Sequence, residues 1–534
     1  MTNPNSGDTK RVLGTPVDAE NLLGTYYKRW HAGVYGNSTT NVEGMMDVMS
    51  LMNYSSLANN CINSHYPFAG ATNFNSPGNT CLGEQDRLYA IEGEVDRVAS
   101  SFLGQVKAGL TLGSTAQDNR DKAFAEFLRG MSLGYLALLH DSTAVVTDAT
   151  GAQDPGKLVG YKEAMDSANA ALQRAIDYAN TPGTGAGGFP LPTAWIPSPT
   201  SFTAAEFVKL IRSYRARFRS SVARTPAERA AADWASIIAD AKAGITSDHL
   251  NTTSTTAGPY YAWRQQYDAF TTWHQMPAWI IGMADVSGSY AAWIAQPVGA
   301  RGGGNANFFM VTPDLRFPQG ADRPSQRADF ALSSCGAAST ACKRYFVNRL
   351  SGDDFTGAGW GFSQYDFVRF HSWVQSGDGS ARNGNTPFMV KTEMDMLQAE
   401  GLIRTGDYAG AAALINITRL KNGLPAITTF DNTSPVPGGA SCIPKVPSGA
   451  TVSCGNLFEA MKYEKRIETA YVHFGAWYFD MRGWGDLPQD TPLFWAVPYQ
   501  DLQARGYAIS AIYGSGIGAG NAAGSSAAKS AYGW

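Results

Sequence analysis

Apolar residues recur along this chain mostly at three- and four-residue steps, the period of an amphipathic helix. In the run Asp118–Asp141, Phe124, Phe127, Leu128, Met131, Tyr135 and Leu138 mark one such stripe. Gly130 and Gly134 fall on the same stripe. Glycine costs helix propensity, so its presence there predicts a close approach by a neighbouring helix as compensation. A second amphipathic segment covers Tyr161–Tyr178, and a Pro/Gly-rich stretch leads to a third over Ala204–Arg219. Thr225-Pro226-Ala227-Glu228 reads as a capping box with proline at the first helical position, opening a helix that runs through Trp234 to Ala243. The clearest hairpin comes late. Phe388–Arg404 reads as a helix, Thr405-Gly406-Asp407 as the turn and Tyr408–Lys421 as the return helix, stopped by Asn422-Gly423-Leu424-Pro425. These hairpins, at about 122–180, 204–244 and 388–421, predict a mainly α chain on a tetratricopeptide-like scaffold with degenerate repeats.

The texture changes between the second and third hairpins. Residues 250–385 are rich in Gly, Ser and aromatics, with strand-like runs at Asn307–Val311 and Arg344–Val347. They predict a loop-rich, aromatic-rich elaboration, the kind of excursion on which binding surfaces sit. The chain divides into an N-terminal part with helical hairpins (1–249), the elaboration (250–385), a C-terminal hairpin and helix (386–504) and a Gly/Ala/Ser-rich tail (505–534), all read as one domain over 1–534.

Composition narrows the function. Charged residues are only 16% of the chain and the net charge is −3, which gives no electrostatic reason to expect nucleic acid or an anionic membrane as partner. The 13 Trp, 24 Tyr and 25 Phe can serve a core or a stacking surface for sugars and peptides. The six cysteines form local couples, Cys61/Cys81, Cys335/Cys342 and Cys442/Cys454. None has C-x-x-C spacing, so three disulfides are a better reading than zinc ligation, with free thiols as the alternative. Disulfides imply an oxidising compartment and hence a removed export signal, since Met1 runs straight into polar sequence. No apolar run is long enough to span a membrane.

The chain carries no familiar catalytic motif. Gly514–Ala519 formally matches a dinucleotide fingerprint, but the fifteen residues after it are too few for a βαβ unit. No Walker sequence, G-x-S-x-G or H-E-x-x-H occurs. The seven histidines (31, 65, 140, 249, 274, 371 and 473) stand singly and read as structural. Asp353-Asp354 reads as a turn cap. No cofactor, metal or EF-hand spacing is evident, although a glycosidase-type carboxylate pair stays open because sequence does not give separations.

The most specific stretch is Asn456–Asp486. Asn456 and Glu459 open a helix carrying Glu464, Arg466 and Glu468, followed by Trp477, Asp480, Arg482 and Trp484. This E-x-R-x-E … W-x-x-D-x-R … W-G series resembles the C-terminal signature of the SusD/RagB family of outer-membrane nutrient-binding lipoproteins. Further stretches are similar to the family's pattern: Ala123–Asp141, Phe309–Asp329, the hairpin Met394–Pro425 and the opening Thr2–Asn5, which is similar to residues following a lipidated cysteine. Lys391 and Gly401 depart from the usual residues, and the tail after about 505 is unfamiliar.

The resemblance implies a SusD-like fold, a structural role for the charged signature and no catalysis. It also implies an outer-membrane, cell-surface lipoprotein serving carbohydrate uptake. Such a protein captures oligosaccharides for a SusC-like TonB-dependent transporter; a peptide-binding member and a helical glycosidase or lyase are the alternatives. Family members stack sugar faces on exposed rings. Two regions have that composition: the loop with Tyr66, Asn73, Phe74 and Asn75, and the block with Tyr260, Tyr261, Trp263, Trp273 and Trp279, joined by Trp360 between glycines. Core packing is the competing fate of each ring.

Overall fold

A computed structural model describes residues 14–35, 42–55, 65–69, 75, 77–78, 83–151, 154–253, 274–301, 308–332, 344–350, 361–369, 384–507 and 526–534. The main helices are α1 (Pro16–Val34), α2 (Val42–Met49), α3 (Gly83–Lys107), α4 (Thr115–Leu139), α5 (Tyr161–Ala179), α6 (Ala204–Ser221), α7 (Trp234–Lys242), α8 (Lys391–Thr405), α9 (Tyr408–Lys421), α10 (Leu457–Thr469) and α11 (Ala476–Trp484). Packing runs as a relay: α1 on α3, α3 on α4, α4 on α5, α5 on α6, α6 on α7, α7 on α8, and α8 on both α9 and α10. The chain is therefore mainly α and built of tetratricopeptide-like hairpins, each helix burying its apolar stripe against the next.

α4 is the centre of the relay and is buried nearly all round from Asn119 onward. Ser114 caps it by accepting the Gln117 amide at 3.3 Å. Its glycines answer the expectation set by the sequence. A Cβ on Gly130 would lie 2.5 Å from Leu172 of α5, and one on Gly134 would lie 2.3 Å from the Phe218 ring of α6. The two neighbours seat their side chains on bare backbone, and that contact offsets the propensity cost.

The late hairpin turns where expected, with Gly406 in the left-handed region at φ 90° as the C-cap of α8. Its first helix begins later than the pattern suggested, because Gly384–Met389 is strand β8. It pairs antiparallel with β4 (His249–Thr253), so Phe388 and Met389 belong to a ribbon. The helix expected from Pro226 through Ala243 is two helices. Thr225 accepts the Glu228 amide and Pro226–Ala230 forms one short turn; Asp233 then accepts the Ser236 amide and starts α7 afresh.

Among the described residues strands are short and occur only in two-stranded ribbons: β1 (Tyr54–Ser55) with β5 (His274–Gln275), β2 (Ser142–Val145) with β3 (Lys157–Gly160), β4 with β8, β6 (Phe346–Asn348) with β7 (Tyr365–Phe367), and β9 (Lys445–Ser448) with β10 (Thr451–Cys454). The run at 308–311 is irregular, not a strand. Cys442 and Cys454 are joined as a disulfide beside the last ribbon; Cys61, Cys81, Cys335 and Cys342 lie outside the described residues.

The end of the chain, read from sequence only as a Gly/Ala/Ser-rich tail, carries two buried aromatic side chains. Tyr532 and Trp534 are buried in the main core, and Ser526 bridges to Pro492. Tyr532 donates to Glu459 at 2.7 Å and accepts from Arg466 at 3.0 Å, while the Trp534 indole donates to the Asp486 carbonyl at 3.2 Å. Low-complexity composition hid two aromatic anchors, which are held by apolar burial and by buried polar partners.

Candidate functional site

The charged signature forms a buried ion-pair lattice beneath α10 and α11. At one end sits Arg316, whose side chain has no solvent exposure. Its guanidinium holds Asp314 at 2.7 Å, Glu464 at 2.8 Å and Glu468 at 3.2 Å. Tyr463 donates to Asp314 at 2.6 Å, and Tyr345 and Thr418 donate to Glu468 at 3.0 and 3.1 Å. Burial pushes the Glu464 carboxyl up against the pull of Arg316. Burial works the same way on Glu468, but Arg369 and Arg316 outweigh it and hold that group below its ordinary value.

At the other end Arg229 grips Glu400 through two bonds of 2.9 and 2.6 Å and reaches Asp480 at 3.0 Å. Lys465 reaches Asp480 at 2.8 Å, and the Trp484 indole donates to Glu400 at 3.0 Å. Burial alone would raise Glu400; the Arg229 charge overrides it and holds the carboxyl at about 2. Arg466 pairs with Asp486, and the Trp477 indole donates to the Arg466 carbonyl at 2.7 Å. Arg482 departs from the pattern: it donates to the carbonyls of Leu138, Leu493 and Ser221 at 2.7–2.9 Å and so joins α4, α6 and the segment after α11. These side chains are all buried, and most of their polar atoms are spent on one another and on backbone. They tie remote parts of the chain together and offer a substrate nothing to reach.

The partner residues Arg229, Asp314, Arg316 and Glu400 were not singled out from sequence. A signal exists for three of them, since Asp314 and Arg316 lie in the Phe309–Asp329 stretch and Glu400 in the Met394–Pro425 hairpin, both of which resemble the family.

The aromatic candidates divide. Tyr260, Tyr261, Trp263, Trp273, Trp360, Phe74 and Asn73 lie outside the described residues. Three others are placed, and their positions correct the expectation of a ligand surface. Trp279 has no exposure. It packs on Phe68 at 4.6 Å, Trp293 at 4.8 Å and Trp534 at 5.2 Å, with Arg301 over its ring at 5.0 Å. Tyr66 is equally buried and accepts from the Trp279 indole at 3.2 Å. Asn75 is buried too, donating to the Val497 carbonyl at 2.9 Å and accepting the Tyr499 amide at 2.8 Å. A large ring gains more by leaving water completely than by lining a shallow surface, and the aromatic-rich segments supply it with ring partners.

One half-open groove stands out among the described residues, with a volume of about 670 Å³ between α3, α4, α5 and β2. Its floor carries Lys122, Glu126 and Arg129, and one wall carries Arg174 and Tyr178. Arg174 holds Glu126 through two bonds of 2.7 and 2.8 Å, and Lys122 lies over the Tyr178 ring at 4.7 Å. The hint in the sequence is that Lys122, Glu126 and Arg129 recur at i, i+4 and i+7 along one face of α4. No described group of His, Cys, Asp or Glu is arranged to hold a metal, and no described helix is long and apolar enough to cross a membrane.

A helical-hairpin relay carrying a loop-rich elaboration and locked by a buried charged signature defines a class of helical-repeat scaffold. That scaffold has the SusD-like fold. A SusD superfamily protein from Bacteroides thetaiotaomicron VPI-5482 superposes with a TM-score of 0.55 at 14% identity, over 92% of this chain and 96% of that one. A second, from Bacteroides vulgatus ATCC 8482, gives 0.53 at 13% identity over 92% and 90%. A SusD homolog from Parabacteroides distasonis ATCC 8503 gives 0.51 at 12% identity over 85% and 84%. No protein-family model matches the sequence, and no curated protein matches it either.

Proposed function

We propose that this chain is a cell-surface capture protein for oligosaccharides, anchored by lipid to the outer membrane and delivering its ligand to a SusC-like TonB-dependent transporter without chemistry of its own. The observation that carries this reading is the SusD-like fold over 92% of the chain, combined with the charged signature in the same sequence. The burial of Glu464, Glu468, Glu400 and Asp480 supports the non-catalytic part. An acid–base pair must reach the glycosidic oxygen, and these carboxylates are sealed against arginines and a lysine. Ligand contacts in this reading fall to Trp360 and to the rings of the 260–273 block.

The test is a binding screen of glycans and peptides by tryptophan fluorescence and calorimetry, followed by chromatography of every bound glycan. The expected result is binding of one glycan class, recovery of that glycan intact, and at least about tenfold weaker binding after Trp360→Ala. Cleavage products would overturn the non-catalytic reading, and binding of peptides alone would overturn the substrate.

A further inference from the structure

The groove over α4 gathers charged side chains from three helices and the segment after β2. Its floor residues Lys122, Glu126 and Arg129 stand at i, i+4 and i+7, so they run about 10 Å along the helix axis on one face. Leu103 and Val106 of α3 form one wall, Arg174 and Tyr178 of α5 the other, and Thr147 and Asp148 lie beyond β2. Lys107, Lys122, Arg129 and Arg174 line it against only Glu126 and Asp148, in a chain whose net charge is −3. The groove is a local basic site on a mildly acidic protein.

Two of the four cations are committed. Arg129 is buried and holds Asp96 at 3.1 Å, Glu126 at 3.3 Å and the Val146 carbonyl at 2.7 Å. Lys107 holds Asp148 at 2.7 Å. The other two keep capacity. Among the described residues Lys122 makes no ion pair and rests on the Tyr178 ring, and Arg174 uses only Nε and Nη2 on Glu126 while its side chain is 43% exposed. Each can therefore donate to an incoming anion without breaking a buried pair. The Ser167 hydroxyl, which donates to the Glu163 carbonyl at 3.0 Å, and the Thr147 hydroxyl, paired with Thr150 at 3.3 Å, keep acceptor capacity, and with the Asp148 carboxylate they can accept from sugar hydroxyls.

We propose that this groove binds an acid-bearing oligosaccharide, a chain of uronate sugars, with a ligand carboxylate between Lys122 and Arg174 and a sugar ring against Tyr178. The proposal rests on the glycan-capture reading and narrows its substrate class. It also makes the groove a ligand site whose lining includes none of the aromatic candidates named from the sequence.

The test is calorimetry of the full-length chain with oligogalacturonate fragments, with the same fragments methyl-esterified, and with a neutral glucan oligosaccharide. Fragments that carry the carboxylate are expected to bind at least about tenfold more tightly than their esters, and to weaken as salt rises, because a half-open groove is screened. Lys122→Glu reverses the charge and Ser167→Trp fills the groove; each is expected to cost the acidic fragments at least about tenfold while circular dichroism stays unchanged. Equal binding of acid and ester would overturn the proposal, as would indifference to both variants or capture of an acidic peptide in place of the sugar. Binding of neutral glycans alone, sensitive to Trp360→Ala, would sink this proposal and leave the capture reading standing. Absence of any glycan binding would sink both.

Discussion

Arg316 and Arg174 do the same chemistry in two places, and the comparison shows what solvent decides. Each arginine holds glutamate at hydrogen-bonding distance: Arg316 reaches Glu464 at 2.8 Å and Arg174 reaches Glu126 at 2.7 Å. Arg316 is sealed under α10 with no side-chain exposure, whereas Arg174 is 43% exposed on the groove wall. In the sealed lattice every charge depends on its partner, because an ion left alone in a low-dielectric interior is costly. On the groove wall water reaches the Arg174 guanidinium but not Glu126, whose side chain is only 6% exposed and which keeps Arg129 as a second partner, so the arginine is the half of the pair free to turn to a ligand. The charged signature is sealed from solvent, whereas the less conspicuous charges on α4 and α5 are the ones that our proposal assigns to a ligand.

The most direct way to break this comparison is Arg316→Met. It would strand Asp314 and leave Glu464 with only Arg419 at 3.6 Å and Glu468 with only Arg369 at 3.3 Å, and the expected loss is about 3–5 kcal/mol of folding stability, read by urea unfolding. Arg316→Lys, which keeps the charge and loses the fork, is expected to fall between the variant and the native chain. A loss below about 1 kcal/mol for Arg316→Met would mean that the lattice behaves like a surface pair after all.

How much of this was legible in the sequence depends on whether the signal was local. The helices at 161–178, 204–219 and 408–421, and the turn at Gly406, follow from spacing and caps within a few residues. The signature Glu464–Trp484 was equally plain, because its residues sit close together in one helix pair. Its partners were not, because Arg229 and Glu400 come from elements remote in sequence and no periodicity links them. The helix Gly83–Lys107 carries an apolar stripe of Leu88, Ile91, Val95, Ala99 and Phe102 that the same reasoning can find. Trp279 shows the opposite failure: ring content marks a segment as aromatic but does not tell a core from a binding surface, and here the core claimed the ring. The β8 strand was lost for a related reason, since Phe388 and Met389 continue the apolar run of the helix that follows them.

A buried acid that lacks an arginine sharpens the comparison from a third direction. Glu92 on α3 is fully enclosed, close enough to α1 that a Cβ on Gly33 would lie 2.2 Å from its carboxyl oxygen. Burial pushes its carboxyl well above the ordinary value of 4.5, the reverse of Glu400, where Arg229 wins. A group raised on folding contributes stability that is complete below the unfolded value and is lost as pH climbs toward the folded one. Glu92→Gln removes that loss. The variant is therefore expected to gain on the native chain as pH rises from about 5 to 8, by about 1.4 kcal/mol per pH unit until the folded value is passed. Denaturant unfolding at a series of pH values reads this directly. A margin that stayed flat would mean that Glu92 is ionised in the fold and finds a partner as effective as Arg229.

The smallest effect is expected where the pair is half open. Arg174→Ala leaves Glu126 with Arg129 at 3.3 Å, so no buried charge is stranded. Solvent already competes for the guanidinium, and the stability cost should be no more than about 0.2–1 kcal/mol. A double-mutant cycle with Glu126→Gln isolates the pair from the contacts that Glu126 makes with Arg129. The coupling is expected to shrink toward zero near 1 M salt, where the screening length is about 3 Å. The Arg316–Glu464 coupling, cut off from mobile ions, should change little over the same range. A coupling above about 2 kcal/mol at Arg174, or one indifferent to salt, would place the groove wall with the sealed lattice and take from Arg174 the freedom that the binding of an anionic sugar requires.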